Sequence, residues 1–423
     1  MKIYKEGKTR TAEEDESLFA SVKQIISDVR AQGDAALSRY NEKFGGVPTA
    51  SFRVTDEELD QALGGISPEL RTAIEKAAGN IKRFAELQLD CSRPLEATET
   101  EPGVFLGHRV IPVDSCCCYV PGGNHPLFST ALMLVIPARV AGVGRVCAAV
   151  PPLKGSRLPH PATLAALRIA GADEVYGLGG AQAIAAFAYG TKSVAPVSMI
   201  VGPGNKYVTE AKRQVYGKVG IDFIAGPSEV LVIADENADA RVVAADILAQ
   251  SEHDYDASGI LVTTSEPFAK AVAAQVEEQL KTLDTADIAG SSWKNHGRIV
   301  IADSLEEAAQ IANETAPEHL EINVKEADQV VPLVRNFGSL FIGGGSAEVF
   351  GDYVAGTNHT LPTMKAARYT GGVGVQTFLK VCTFQQIKPE GVKILAPVAE
   401  VMAKNEGLTA HARAAAVRLG RKF

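Results

Sequence analysis

Two polar side chains near the end of a predicted helix could bind one metal ion or ligand. Gln250 and His253 stand three positions apart in the stretch ILAQSEHD, and side chains at that spacing share a helical face. A histidine at a helix end is more often a cap or a partner of the helix dipole, and glutamine is an uncommon metal ligand. On spacing alone, a solvated helix end is therefore the favoured interpretation.

A second pair of reactive side chains, Glu318 and His319, lies in the stretch APEHLEI. The preceding proline suits the start of a helix. Adjacent helical residues point about 100° apart, so the two could face one pocket in different roles. A carboxylate and an imidazole together provide what a two-stage proton transfer requires. Taken singly, the motif is more simply explained by two exposed residues in the first turn of a surface helix.

Two further segments near the C-terminus carry residue types that bind zinc. Asp352 and His359 lie in the glycine-punctuated loop FGDYVAGTNHTLPT, and Glu406 and His411 lie in NEGLTAHA. Loops held by a rigid scaffold often carry catalytic groups. Aspartate and histidine are sound ligands for zinc, which at catalytic sites keeps one position open for substrate. Sequence spacing does not show whether these segments meet.

Three glycine-rich turns, YVPGGNHP, GLGGAQA and VGPGNKYV, follow predicted strands and precede predicted helices. Backbone N–H groups and helix dipoles at such junctions suit anions such as a dinucleotide pyrophosphate. None of the three matches G-x-G-x-x-G, and tight turns explain the glycines about as well. A fourth turn, AGPSEV, exposes Ser228 directly before a strand, where it could meet a ligand or simply form a β-turn.

The elements that would position these residues alternate along the chain. Residues 12–43 and 56–89 carry apolar side chains at helical spacing and predict N-terminal amphipathic helices. From about residue 109, strands such as SCCCYV and EVLVIAD alternate with helical segments, and a second alternating stretch follows. Repeated strand–helix–strand units predict a mostly parallel, doubly wound α/β sheet in two halves, followed by a helical tail.

Composition narrows the class of protein and of partner. The chain has 423 residues, 46% of them hydrophobic, and 42 basic against 50 acidic residues give a net charge of -8 without long runs of one sign. We therefore expect a multidomain protein that binds a small molecule rather than nucleic acid or a membrane. Because the N-terminus has no apolar signal segment, the cytoplasm is the default location. The six cysteines lack zinc-finger or disulfide spacing, and Cys116, Cys117 and Cys118 are expected to be buried, reduced thiols on a strand.

Taken together, these motifs resemble the histidinol dehydrogenase family. The resemblance covers most of the chain from about residue 105 to 411, and its longest stretch is GIDFIAGPSEVLVIADENADARVVAADILAQSEH. It implies a homodimer with two incomplete Rossmann-like, doubly wound α/β domains, one inserted in the other, plus small helical N- and C-terminal segments. The boundaries expected from it are an N-terminal segment 1–16, a first domain 17–120 with 230–380, a second domain 121–229 and a dimer-embracing tail 381–423.

The resemblance also implies a role for each matching side chain. Zinc is expected to be held by four residues, the last from the neighbouring subunit's tail: Gln250, His253, Asp352 and His411. Base and acid chemistry is expected from Glu318 and His319. The residues expected to contact NAD are Tyr119, Gln182 and Asn205. Substrate is expected to contact the four zinc ligands, His319, and three further residues, Ser228, His359 and Glu406.

The implied reaction is the four-electron oxidation of a primary alcohol to a carboxylate, with two NAD molecules reduced in turn. In that scheme zinc orients the substrate, His319 accepts the alcohol proton, and Glu318 activates the water that hydrates a retained aldehyde. L-Histidinol is the substrate that the family resemblance favours.

Three competing functions stay open on sequence alone. Asn124, His125 and the stretch ARYTGGVGVQTFLKVCT resemble paralogues such as sulfopropanediol dehydrogenase, which makes sulfolactate. Against that, Glu406 stands where the family's imidazole-binding carboxylate does, and a carboxylate repels a sulfonate. The second is a zinc hydrolase, and the third is a non-catalytic two-lobed binding protein. NAD reduction by a panel of alcohols would separate the last two from a dehydrogenase.

Overall fold

A computed structural model describes residues 1–7, 16–49, 51–122 and 126–422 of the chain. Asn124 and His125, which carried part of the paralogue resemblance, lie outside the described residues. The described strands are β1 Lys2–Lys5, β2 Arg53–Val54, β3 Leu95–Glu101, β4 Val104–Pro112, β5 Ser115–Tyr119, β6 Arg145–Val150, β7 Glu174–Gly177, β8 Met199–Val201, β9 Gly220–Ile221, β10 Glu229–Ala234, β11 Ser258–Thr263, β12 Arg298–Ile301, β13 His319–Asn323, β14 Ser339–Ile342 and β15 Leu379–Ile387.

The described helices are α1 Glu16–Gln32, α2 Asp34–Lys43, α3 Asp56–Gly65, α4 Pro68–Asp90, α5 Phe128–Val140, α6 Pro161–Ala170, α7 Gly180–Tyr189, α8 Lys206–Val215, α9 Ala240–Ser251, α10 Glu266–Leu280, α11 Ala286–His296, α12 Leu305–Thr315, α13 Ala327–Val330, α14 Glu348–Tyr353, α15 Pro389–Asn405 and α16 Thr409–Val417. No described helix has the length and apolar content needed to cross a bilayer. The N-terminal helices were expected from residue 12; α1 begins at Glu16, and the four residues before it lie outside the described ranges.

Sheet I is a six-stranded sheet in the order β2-β7-β6-β5-β8-β9. Its strands β5 to β9 are parallel, and β2 pairs antiparallel at the edge. Numbered from β5, the parallel strands run 3-2-1-4-5, the order of a doubly wound dinucleotide-binding sheet. The chain reverses direction across the sheet between β5 and β8, so the crevice outside the carboxyl ends of these two strands is where such folds bind ligands.

Sheet II repeats the same order in the second half of the chain, as β1-β12-β11-β10-β13-β14. Strands β10 to β14 are parallel, and β1 pairs antiparallel with β12. The chain therefore begins in sheet II, builds sheet I, and returns, so one Rossmann-like domain is inserted in the other, as expected. The described start of the N-terminal segment, residues 1–7, contributes strand β1 to sheet II.

The strand pairing corrects the expected division of 17–120 with 230–380. Strands β2 and β5 lie in that range but belong to sheet I, where β5 is the central strand. The expected boundary at residue 120 fell between β5 and its own crossover helix α5, because a buried strand alone does not reveal which sheet it joins. The inserted unit comprises the strands and helices between β1 and β10, apart from β3 and β4.

A small antiparallel sheet, sheet III, joins the tail to the rest of the protein in the order β15-β4-β3. The tail thus begins with a strand, and only then continues into α15 and α16, which pack against each other, while α15 also packs against β15.

The apolar core covers both faces of sheets I and II, as doubly wound sheets require. On β5, Cys116 and Cys118 belong to one buried cluster and Cys117 to the cluster on the opposite face. All three are buried free thiols, which confirms the prediction. The faces of sheet II are covered in the same way, with Val230 and Val232 on one side and Leu231 and Ile233 on the other.

Candidate active site

The amino ends of β10 and β13 bring three predicted segments together. His319 is the first residue of β13 and pairs in register with Val230 of β10. Helix α9 runs back from the carboxyl end of β10, so its last turn, with Gln250, returns to the same edge. His253 follows that helix after its C-cap residue Glu252, and Ser228 immediately precedes β10.

The expectation that Glu318 and His319 open a helix is wrong. Glu318 directly precedes β13 and His319 begins it, where β13 lies between β10 and β14. The three residues that follow, Leu320 to Ile322, are buried in sheet II, Glu321 included. A short strand buried on both faces has no periodicity that would distinguish it from a short helix. Both side chains are nevertheless buried at one site.

The imidazole of His319 has a different environment at each nitrogen. Nδ1 lies 3.3 Å from the Glu229 carbonyl oxygen, 3.7 Å from Glu318 Oε2 and 3.8 Å from Glu348 Oε1. Nε2 lies 3.6 Å from Asp352 Oδ1, too far for a hydrogen bond, and is a buried nitrogen without a partner among the described residues. In the neutral ring, an Nδ1–H donating to Glu229 leaves the lone pair on Nε2.

Burial and neighbouring charges act in opposite directions on the pKa values at this site. Burial raises the pKa of Glu318 to about 8, although the nearby His319 partly offsets that rise. Burial disfavours the imidazolium of His319, but the carboxylates of Glu348, Glu318 and Asp352 outweigh it and raise that pKa well above its usual value. Burial also raises the pKa of Glu348 well above its usual range.

Three side chains come close enough to hold one cation. One donor atom each of His253, Glu348 and Asp352 lies within 4.8 Å of the others, and His253 Nε2 is 3.9 Å from Asp352 Oδ2. Imidazole and carboxylate are zinc ligands. Burial opposes ionisation of Asp352, but the charge of the adjacent His319 lowers its pKa below the usual value, so this side chain is ready to act as an anionic ligand.

Glu348 is the site residue that the sequence analysis missed. It is fully buried and lies one turn before Asp352 on α14, so both carboxylates share a helical face. When the Gln250 amide nitrogen is turned toward Glu348, it donates to both carboxylate oxygens, at 3.1 Å for Oε2. This orientation leaves the amide oxygen of Gln250 for another partner, such as a cation. The i, i+4 spacing of the two acids in AEVFGDY was the available signal.

His359 connects this site to the other sheet. Its Nδ1 lies 2.9 Å from the Asp352 carbonyl oxygen, and its Nε2 lies 3.2 Å from the hydroxyl of Thr130 in α5. Burial lowers the pKa of His359, so the neutral ring donates through Nδ1 and accepts from Thr130. Asn358 also donates to the Met133 carbonyl at 2.6 Å. The carboxyl edge of sheet I, where α5 begins, therefore lies against the amino edge of sheet II.

The three residues predicted to contact NAD all lie at that carboxyl edge of sheet I. Tyr119 ends β5, and its hydroxyl accepts from the Gly180 N–H at 3.0 Å. Gln182, in the first turn of α7, is buried, and its Oε1 has no partner among the described residues. Asn205 caps α8 through Oδ1, so its side chain can serve a ligand only as a donor through Nδ2.

Two predicted residues do not join the site within one chain. Glu406 is the C-cap of α15, and His411 lies in the first turn of α16; both are exposed. The cation-binding group found among the described residues contains His253, Glu348 and Asp352 but not His411.

Comparison with known proteins places the chain in the histidinol dehydrogenase family. The Histidinol dehydrogenase family profile matches residues 8–419. A histidinol dehydrogenase from Rhizobium meliloti is 47% identical over 413 residues, 97% of this chain and 94% of the relative. A "histidinol dehydrogenase homolog" from Shouchella clausii is 41% identical over 99% of this chain and 98% of its own. The crystal structure of a histidinol dehydrogenase from Elizabethkingia anophelis superposes with a TM-score of 0.92 at 38% identity, covering 97% of this chain and 94% of that one.

Proposed function

We propose, because this chain belongs to the histidinol dehydrogenase family, that it oxidises L-histidinol to L-histidine in two NAD-dependent steps with zinc at the site. The observation that carries the proposal is the Nε2 of His319, which is buried beside Asp352 and has no hydrogen-bond partner in the described part of the chain. This nitrogen is a candidate base, and it lies next to Asp352 of the cation-binding group. We further propose that the protein acts in the cytoplasm and binds neither nucleic acid nor membrane.

The residues present are suited to both groups. His253 and Asp352 offer zinc an imidazole and a carboxylate, and Gln250 offers an amide oxygen; we assign the fourth ligand to His411 of a second copy of the chain. Gln182, whose side-chain oxygen has no partner among the residues that the structure describes, lies with Tyr119 and Asn205 at the carboxyl edge of sheet I, where doubly wound sheets bind dinucleotides. When bound, zinc would hold and polarise the substrate, and NAD would take up the hydride in each step.

We assign to His319 the role of the base that accepts the alcohol proton. Its Nδ1–H faces the Glu229 carbonyl, so Nε2 is the nitrogen that accepts the proton as the first hydride leaves and the aldehyde forms. When they are ionised, Glu318 and Glu348, 3.7 and 3.8 Å from Nδ1, stabilise the imidazolium that results. The same carboxylates raise the pKa of His319.

We assign to Glu318 the role of the base that activates water in the second step. Hydration of the aldehyde needs a base that removes a proton from water, and the hydrate then loses the second hydride to give the carboxylate. The pKa of Glu318 is raised by burial to about 8, which brings it near the operating pH that general-base catalysis favours. Its Oε2 accepts from the Glu229 N–H at 3.0 Å, which fixes the carboxyl group beside His319.

We assign substrate binding to residues from several segments of the chain. Ser228, Gln250, His253 and Asp352 converge at the amino edge of sheet II, and His359 lies between that edge and sheet I. Glu406 and His411 complete the set only if the tail of one subunit reaches the site of another.

A homodimer would provide those two residues. Helix α15 exposes an apolar stripe along its length: Ile394, Val398, Val401 and Met402, between 40% and 60% exposed. Positions four, seven and eight residues apart lie on one helical face, and an exposed apolar face of this kind marks an interaction surface. A second copy of the chain is the partner that the exposed His411 and Glu406 favour.

The substrate is tested by NADH formation with zinc-loaded protein and three alcohols: L-histidinol and both enantiomers of 2,3-dihydroxypropane-1-sulfonate. Turnover of histidinol at low-millimolar concentration or below supports the proposal. Turnover of a sulfonate alone would assign the chain to the sulfopropanediol paralogues, a resemblance carried by the stretch near Tyr369. That residue is 77% exposed and has no described contact with the site. A zinc hydrolase would reduce no NAD with any alcohol.

A further inference from the structure

A buried ion pair lies outside the residues discussed so far. Lys212 is on α8, and Asp222 directly follows β9. Their side chains are 3% and 1% exposed, and they form a short salt bridge. Removing two charges from water costs much of what their attraction returns, so a buried pair is a weak source of stability. The bonds that the pair makes to other groups therefore indicate its role.

Those bonds go to a single residue, Gly202, the first after β8. Asp222 Oδ2 accepts from the Gly202 N–H at 2.7 Å, and Lys212 Nζ donates to the Gly202 carbonyl at 2.9 Å. Gly202 has a φ of +118°, and a Cβ there would collide with the Tyr119 carbonyl oxygen. The ion pair thus fixes the turn after β8 against the end of β5, at the switch point of sheet I.

Thr209, three residues before Lys212 on α8, bonds to the same turn. Its hydroxyl lies 3.3 Å from the Gly204 carbonyl oxygen and 3.2 Å from the Ala225 carbonyl oxygen. Side chains of α8 therefore engage the carbonyl oxygens of Gly202 and Gly204. Carbonyl oxygens that accept hydrogen bonds in this way repel an anionic ligand in the crevice less than free carbonyl oxygens would. Asn205, the next residue, is thereby held at the N-cap of α8.

We propose that Lys212 and Asp222 are positioning residues for the dinucleotide: they hold residues 202–205 in the binding conformation before the cofactor arrives. The proposal rests on the proposed use of NAD. When the turn is already ordered in the free protein, none of the binding free energy is lost in ordering it. Freeing the backbone of even one residue, which binding must then order again, weakens affinity by about tenfold.

The test is calorimetric titration of NAD⁺ into the metal-free protein, which measures affinity without turnover. The double variant Lys212→Met/Asp222→Leu removes the clamp on Gly202 without leaving a buried unpaired charge. We expect NAD⁺ to bind at least about tenfold more weakly, and the KM for NAD⁺ to rise more than kcat falls. Zinc content should not change, because no described contact joins Lys212 or Asp222 to the four residues assigned to zinc.

The matched control is Asp173→Asn. Asp173 also pairs with an arginine, Arg139, and accepts a backbone N–H, that of Val146 at 2.7 Å. It does so at the amino end of β6, the edge of sheet I opposite the crevice. This variant should change thermal stability without changing NAD⁺ affinity.

The outcomes separate this inference from the proposed function. If the wild-type protein does not bind NAD⁺, the proposed function is wrong and the inference is overturned with it. If the wild type binds and the folded double variant binds equally well, the ion pair is only structural and the inference alone is overturned. Should the double variant not fold, Thr209→Val removes the hydroxyl that bonds to the Gly204 and Ala225 carbonyl oxygens and leaves the ion pair in place; weaker NAD⁺ binding supports the inference and unchanged binding overturns it.

Discussion

Replacing Glu318 by glutamine should separate the two oxidation steps. Glutamine keeps the size of the side chain and an oxygen that can accept from the Glu229 N–H at 3.0 Å, but it cannot remove a proton from water. Because burial raises the pKa of Glu318 to about 8, the carboxyl group of the metal-free protein is mostly protonated at neutral pH. The neutral amide should therefore change the free energy of unfolding little.

The kinetic effect should be large in the aldehyde step only. General-base assistance contributes on the order of a hundred- to ten-thousand-fold, so hydration of the aldehyde should slow by at least about a hundredfold. Oxidation of the alcohol uses His319 and should change less than about tenfold. Rapid mixing of the variant with histidinol and NAD⁺ should give a burst of one NADH per site, followed by slow formation of the second.

Glu348→Gln is the matched control, because Glu348 is an equally buried carboxyl group at a similar distance from the same imidazole nitrogen. Glu348 contacts His319 and Gln250 and belongs to the cation-binding group, but it is assigned no water, so its loss should slow both steps to a similar degree. Equal losses in the two steps for Glu318→Gln, without a burst, would refute the division of roles between Glu318 and His319.

Three further predictions concern the tail, the metal and a second carboxyl pair. If the tail crosses between subunits, mixing the His411→Asn and Glu318→Gln proteins, each of which lacks most of the steady-state two-step turnover, should restore about a quarter of wild-type activity through hybrid dimers; no recovery would place His411 in its own subunit's site. Chelation should abolish activity, zinc should restore it, and His253→Asn should bind less zinc by elemental analysis; full zinc retention would exclude His253 as a ligand. Burial raises the pKa of Asp246, beside Glu321, from 3.8 to about 6, so the folded protein loses stability as pH rises through that range. Near pH 8 the free energy of unfolding of Asp246→Asn should exceed that of the wild type by at most about 3 kcal/mol, which a higher melting temperature would report, and near pH 4 the two should differ little. Equal melting temperatures at both pH values would contradict the shift.

The strands and their alternation with helices were predictable because parallel strands buried on both faces are continuous apolar runs. SCCCYV and EVLVIAD became β5 and β10, each central in its sheet. Domain membership was not predictable in the same way. The pairing of β5 with β6 and β8, and of β1 with β12, depends on contacts between segments far apart in the chain, and no local pattern records them.

The candidate site was predictable in its residue types but not in its local structure. Proline favours a helix start and so predicted one at Glu318 and His319, yet the buried run after them joined β10 in a parallel ladder. Glu348 was missed because a fully buried acid one turn from Asp352 resembles an ordinary surface helix pair in sequence. Lys212 and Asp222 were missed because they bond to the backbone of Gly202, and the sequence does not indicate which side chains contact the backbone of a distant residue.

The central claim is that one site on this chain oxidises an alcohol twice, and the stoichiometry of NADH tests it most directly. Limiting L-histidinol should be incubated to completion with zinc-loaded protein and excess NAD⁺, with NADH and histidine both quantified. The account predicts two NADH and one histidine per histidinol, without free aldehyde. One NADH per histidinol with aldehyde released to solution, or no NADH at all, would contradict it.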